Sequence, residues 1–260
     1  MSSTDDVWKS PETEAAPSAD ASPTEGPEGA SDDPMDVPRA VWADLTANPV
    51  PYLLANFGYM MGAMVVTTAL LALIGIAMAP GIVTEDETML IVGLVAGMGV
   101  YTLGIFALVF LAVPLWTASM LRTLDRQRQG LGTIGFASSF SDMTHRAGPV
   151  IGTYALTQAL TFVGIFFFYV PGIMAAAIGS FALPIAVFED VGPVEAWTRA
   201  WNHAKNHAGW HIAVFALLFV AILVLEFTLV GFIVIWPLIC AWQLYAYRLA
   251  FGPDGSQPVD

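Results

Sequence analysis

Six stretches of about 20 mostly apolar residues punctuate this chain, separated by short polar connections. That length is what a helix needs to cross the hydrocarbon core of a bilayer. Spans are predicted at 53–79, ending at Pro80; at 89–113, continuing past Pro114 towards Leu121; at 150–169; and at 172–188, a short span interrupted by Pro184. The last apolar run is nearly 40 residues long, about 211–249. No single span needs that length, so it divides at Gly231 into helices at 211–229 and 232–249. The predicted fold class is all-α: a polytopic bundle of six transmembrane helices.

The connections alternate in charge. No Lys or Arg falls in the Gly81–Thr88 loop, at 170–171 or at 229–232, whereas Arg122, Arg126, Arg128 and Arg146, then Arg199 and Lys205, then Arg248 occupy the others. Basic loops face the cytoplasm. The alternation supports the count of six and places both termini in the cytoplasm, with the protein integral to the inner membrane of a prokaryote. Trp116, Trp197, Trp201, Trp210 and Trp242 all fall near the expected cytoplasmic boundary, where amphipathic rings settle.

Two cytoplasmic connections read as amphipathic helices. In 193–208, Val194, Ala196, Trp197, Ala200, Trp201, Ala204 and Ala208 fill one half of a helical wheel, which suits the bilayer surface or the bundle. Pro193 suits the first turn, and Glu195 and Arg199 form an i,i+4 pair of opposite charge. The second is predicted at 133–146, where Phe136, Phe140 and Met143 are spaced i, i+4, i+7. A short surface helix is also expected from Pro38 to Leu45, with Val41, Trp42 and Leu45 on one face.

Composition adds the ends. Residues 1–37 hold almost no large apolar side chain and read as a disordered acidic tail. Residues 252–260 are a short C-terminal tail. Of the net charge of −13, residues 1–40 carry −8. Charged residues are 12% of the chain, half the level of a soluble domain, and the mean hydropathy of +0.66 excludes an ordinary soluble enzyme. Acidity argues against nucleic acid. The lone Cys240 excludes an intramolecular disulfide and Cys-based metal clusters. No cleaved signal is expected, because the N-terminus lacks a basic region followed by an apolar one.

Few residues offer chemistry. His203, His207 and His211 are spaced i, i+4, i+8 and are weak metal candidates; each step drifts about 40° around a helix and Gly209 interrupts it. No metal or cofactor is predicted. Gly130-Leu-Gly-Thr-Ile-Gly135 matches a dinucleotide motif but follows an Arg-rich helix end rather than a strand, and is read as chance. Glu226 is a carboxylate within an apolar run, which makes it a candidate site by default; its closeness to Gly231 favours snorkelling to water. Gly93-x-x-x-Gly97, Gly172-x-x-x-Ala176 and Ala175-x-x-x-Gly179 let backbones approach, and packing within the bundle is favoured over a homodimer face. Pro114, Pro184 and Pro237 interrupt spans, a feature of helices lining substrate paths. No nucleophile–base set, P-loop or carboxylate pair appears, so no enzyme is predicted.

Several runs together carry a resemblance. They are Tyr169-Val-Pro171-Gly-Ile173, Leu183-Pro184-Ile-Ala-Val-Phe-Glu-Asp190, Glu195-Ala-x-x-Arg199-Ala-Trp201-x-x-x-Lys205, Trp210, Gly231-Phe-x-x-x-Trp236-Pro237 and Tyr247-Arg-Leu249. Over about residues 38–251 the chain resembles a superfamily of six-span prokaryotic membrane proteins. The group includes the membrane domain of some glycerophosphodiester phosphodiesterases and related domains of unknown function. Ala200 stands where Ser is common, and the acidic tail has no counterpart. The resemblance implies the fold, not hydrolase activity. The expected function is a non-catalytic membrane component organising a lipid or a protein partner, the latter through the acidic tail or the cytoplasmic helices. The alternatives are a small transporter and a lipid-acting membrane enzyme.

Overall fold

A computed structural model describes residues 33–47, 49–129, 141, 143–228 and 231–252. The acidic segment 1–32, the connection expected to form a helix at 133–146 (save 141 and 143–146) and residues 253–260 lie outside them. Helices run in the order α1 (Asp36–Ala47), α2 (Pro49–Thr84), α3 (Glu87–Ala107), a π turn (Leu108–Ala112), α4 (Val113–Arg128), α5 (Ala147–Phe167), α6 (Tyr169–Phe188), α7 (Pro193–Asn206), α8 (Ala208–Glu226) and α9 (Gly231–Phe251). No strand occurs among the described residues. Six helices are long and apolar enough to span a bilayer. The chain is an all-α membrane protein.

Two boundaries differ from expectation. The first span does not stop at Pro80: α2 continues to Thr84, whose hydroxyl donates to the Pro80 carbonyl at 2.8 Å. The second span runs past Pro114, as expected, but reaches Arg128 rather than Leu121. Glu87–Arg128 is one helical run of 42 residues. Pro114 has no N–H to offer the carbonyl four residues back. The chain absorbs this by widening: the Val113 N–H donates to the Leu108 carbonyl, five residues back, in the π turn just before the proline.

Helices α2 and α3 form a hairpin. Asp86 caps α3, its carboxylate accepting from the Thr88 and Met89 N–H groups at 2.8 and 3.2 Å. Gly93 lies against the Ala77 backbone and Gly97 against Ile74, so the GxxxG pair serves a contact within the chain. Similarly Gly172 meets Ile165 and Gly179 meets Thr157 across α5 and α6. The most apolar windows of the hairpin are 0% and 6% buried. Such a surface is at home in hydrocarbon, where backbone groups are satisfied inside each helix.

The packed core lies elsewhere, among α1, α4, α6, α7 and α9. Trp116, Leu121, Phe181, Ile185, Leu244 and Tyr247 are fully enclosed there. Trp116 and Trp242 are buried in the bundle. In α1, Val37 and Val41 turn into the core while Trp42 is 71% exposed. That rotates the expected apolar face by about one residue step. Helix α7 buries Ala196, Ala200 and Ala204, three small side chains that permit close approach, and leaves Val194 and Trp201 outside.

A neutral polar cavity between the spans

Helix α5 carries a polar stripe. Tyr154, Thr157, Gln158 and Thr161 are spaced i, i+3, i+4, i+7, which places them on one helical face. The stripe faces Thr117 of α4, Gly179 and Ser180 of α6, Leu218 of α8, and Trp236 and Gln243 of α9. Together they line a cavity of about 380 Å³. That volume is in the range of small-molecule sites.

Its walls explain themselves locally. Gly179 brings α6 onto α5: a Cβ there would stand 2.1 Å from Thr157 Cγ2. Pro184 supplies no N–H to the Ser180 carbonyl one turn back, at the cavity. The Ser180 and Thr117 hydroxyls donate to their own helices, to the carbonyls of Ala177 (2.6 Å) and Val113 (2.8 Å). Tyr154 and Gln158 lie one helical turn apart on the stripe. Trp197 of α7 donates its indole N–H to Thr157 Oγ1 at 3.0 Å, tying the amphipathic helix to the cavity wall. Three buried atoms of lining residues have no partner among the described residues: Thr161 Oγ1, Gln243 Oε1 and Trp236 Nε1. Buried polar atoms without partners cost about 1–3 kcal/mol each. Among the described residues, no Lys, Arg, Asp, Glu or His lines the cavity. An unpaired charge would be expensive here, so the chemistry suits an uncharged molecule with hydroxyl, carbonyl or amide groups.

Replacing Trp197 with Phe removes the bond to Thr157 and keeps most of the ring. About 1 kcal/mol of stability is expected to be lost. Reversible unfolding in mixed micelles measures it, and an unchanged midpoint would show that the bond contributes nothing.

The residues singled out in the sequence lie mostly at the Arg-bearing ends of the helices, away from this cavity. Arg199 is bonded to both Glu195 and Glu189, and Glu189 also accepts from the Tyr247 hydroxyl at 3.2 Å. The two carboxylates hold the Arg199 guanidinium firmly protonated. Lys205 sits over the Trp201 ring at 5.6 Å. Pro171 occupies the first turn of α6, where a missing N–H breaks no helical bond. Glu226 is the exposed last residue of α8 and takes no part in the cavity. Pro184 and Pro237 follow the lining residues Leu183 and Trp236 in sequence.

The histidines were not expected to converge, and two of them do. The helical break at His207, with φ −125° and ψ 39°, folds α8 back on α7. His203 Nδ1 and His211 Nε2 then meet at 2.7 Å, and His207 stacks on His203. The pair aims these nitrogens at each other rather than at a common ion. Among the described residues no three His, Cys, Asp or Glu side chains are grouped to hold a metal.

Burial, with His207 nearby, depresses the His203 pKa to about 4. As pH falls, the unfolded chain takes up this proton first, near the ordinary value of about 6.5. The stabilisation is therefore complete above about pH 6.5 and is lost between there and about pH 4, by up to about 3 kcal/mol. Unfolding midpoints across pH 4–7 should show this slope, and His203→Gln should flatten it. A slope that persists in the variant would assign it to other groups.

The chain matches no family model, no curated protein and no solved structure.

Proposed function

We propose that this is a non-catalytic membrane protein that binds a small uncharged molecule bearing hydroxyl or carbonyl groups between its helices. The observation that carries the reading is the stripe Tyr154, Thr157, Gln158 and Thr161 facing a cavity with unpartnered Thr161 and Gln243 oxygens. In hydrocarbon such atoms have no water to turn to, and a ligand hydroxyl satisfies them. The alternation of basic connections supports a prokaryotic cytoplasmic membrane with both termini inside. The acidic segment 1–37 and helix α7 are the surfaces offered to a protein partner or to headgroups.

Native mass spectrometry of the protein in nanodiscs drawn directly from its membrane tests the reading. A neutral adduct is expected, reduced at least tenfold by Thr161→Val with Gln243→Leu. The absence of any adduct, or one indifferent to both changes, would refute it.

A permease is the second reading. Pro184 and Pro237 stand next to the cavity-lining residues Leu183 and Trp236, and Pro114 lies three residues before Thr117, on three different helices; broken helices line transport paths. Glycerol flux into proteoliposomes discriminates: flux abolished by Thr161→Val favours a path, whereas binding without flux favours a receptor or organiser.

A further inference from the structure

Trp236 lines two cavities. Its second neighbour is an apolar cavity of about 260 Å³ bordered by Asn56, Tyr59, Met60, Trp116 and Ile235. Tyr59 stacks on Trp116 with centroids 3.9 Å apart, and Trp116 on Trp236 at 4.9 Å. Tyr59 and Trp116 line the apolar cavity alone, and Trp236, at the end of the aromatic column, lines both.

Buried indole N–H groups usually find a partner, as Trp197 does; the Trp236 N–H, like those of Trp116, Trp210 and Trp242, has none among the described residues. The next residue is Pro237, which leaves the Ile233 carbonyl without its helical donor. Asn56 of α2 donates its side-chain N–H to that carbonyl, leaving its own Oδ1 unpartnered inside the protein. Helix α9 is therefore held open at this turn by a residue of the apolar cavity itself. The Trp236 ring stacks on Trp116 and packs against the core, and it is the residue common to an uncharged polar cavity and an apolar one.

We infer that the two cavities are the head and tail halves of one site, with the Trp236 side chain as the divider, and that the ligand is a single-chain amphiphile with an uncharged, hydroxyl-bearing head. The inference rests on the proposed binding role of the polar cavity and names its ligand class. A head alone needs one cavity; a charged head is excluded by the lining; an acyl chain fits walls of Tyr59, Met60 and Ile235.

The test uses the full chain in phospholipid nanodiscs and 1-monooleoylglycerol bearing a diazirine midway along its chain. Photolabelling is expected at Met60 or Ile235. It should fall at least fivefold in Met60→Trp, which fills the apolar cavity, while retention of 1-monobutyrin, with the same head and a short tail, changes less than twofold. Labelling of the wild-type protein confined to outward residues such as Phe162 and Phe166 overturns the inference, however the variant folds. Monobutyrin bound, and lost on Thr161→Val, with no label at either position removes the tail half and leaves the polar site standing. Failure to retain either lipid removes both readings for this ligand class.

Discussion

Replacing Arg248 with Met is expected to destabilise the protein by about 3–5 kcal/mol, the cost of leaving a buried partner charge uncompensated. Arg248 bonds Asp125 at 2.6 Å, and the two side chains are only 13% and 11% exposed. The pair joins α4 to α9, the core helix that carries Trp236. Gln129 also donates to Asp125 at 2.9 Å and would remain, but an amide does not neutralise a carboxylate. Part of the guanidinium also lies over the Phe188 ring at 5.3 Å, so packing is lost as well as charge. The double change Asp125→Leu with Arg248→Met removes both charges and should recover most of the loss, because a buried ion pair competes poorly with an apolar pair of similar volume. Unfolding free energies of the two single variants and the double give the coupling directly. If the double variant were no more stable than Arg248→Met alone, the destabilisation would have to come from packing rather than from charge.

Gly93→Leu is expected to have a comparable effect on the other side of the molecule. A Cβ at Gly93 would lie 2.2 Å from the Ala77 carbonyl oxygen and 2.8 Å from its carbon. Those atoms are backbone, so no rotamer change relieves the contact, and the α2–α3 hairpin has to spread. Overpacking costs about 1–3 kcal/mol where side chains yield, and more where they do not. A fall of about 3 kcal/mol or more is therefore expected, with the distance between spin labels on the two helices increasing. Gly99→Leu, where a Cβ meets nothing within 4 Å, is the matched control and should be near neutral. Equal effects from the two substitutions would show that the helices do not touch through Gly93.

The six spans were legible because lipid demands about 20 apolar residues of any crossing helix, and that demand is written in composition. The extension of the first past Pro80 and the reach of the second to Arg128 were not. A proline looks like a terminus until the freed carbonyl's environment is known; a π turn resolves the strain at Pro114, and Asn56 supplies the missing donor at Pro237 from 177 residues away. The histidine pair was hidden for a related reason: its geometry depends on a break at His207, whereas spacing assumes a continuous helix. The cavity lay in plain view at Tyr154, Thr157, Gln158 and Thr161. A reading by charge passes over it, because the stripe has none, and Thr and Tyr barely disturb the hydropathy of an apolar run. Its i, i+3, i+4, i+7 spacing inside a span is the signal that marks it. Which residues of α4, α6 and α9 complete the walls follows only from packing.

The run from Glu87 to Arg128 is 42 residues, about 63 Å if straight, while the hydrocarbon core measures about 30 Å. Its neighbours α5, α6, α8 and α9, at 19–21 residues, match that thickness unaided. Long and short crossings in one molecule do not feel the same bilayer equally: the long one tilts or bends as thickness changes, and the short ones stay put. The widened helical ladder at Leu108–Ala112 lies within that long run, less than two turns from Trp116 and Thr117. The excess length of the crossing thus falls on the helix that brings Trp116 to the apolar cavity and Thr117 to the polar one.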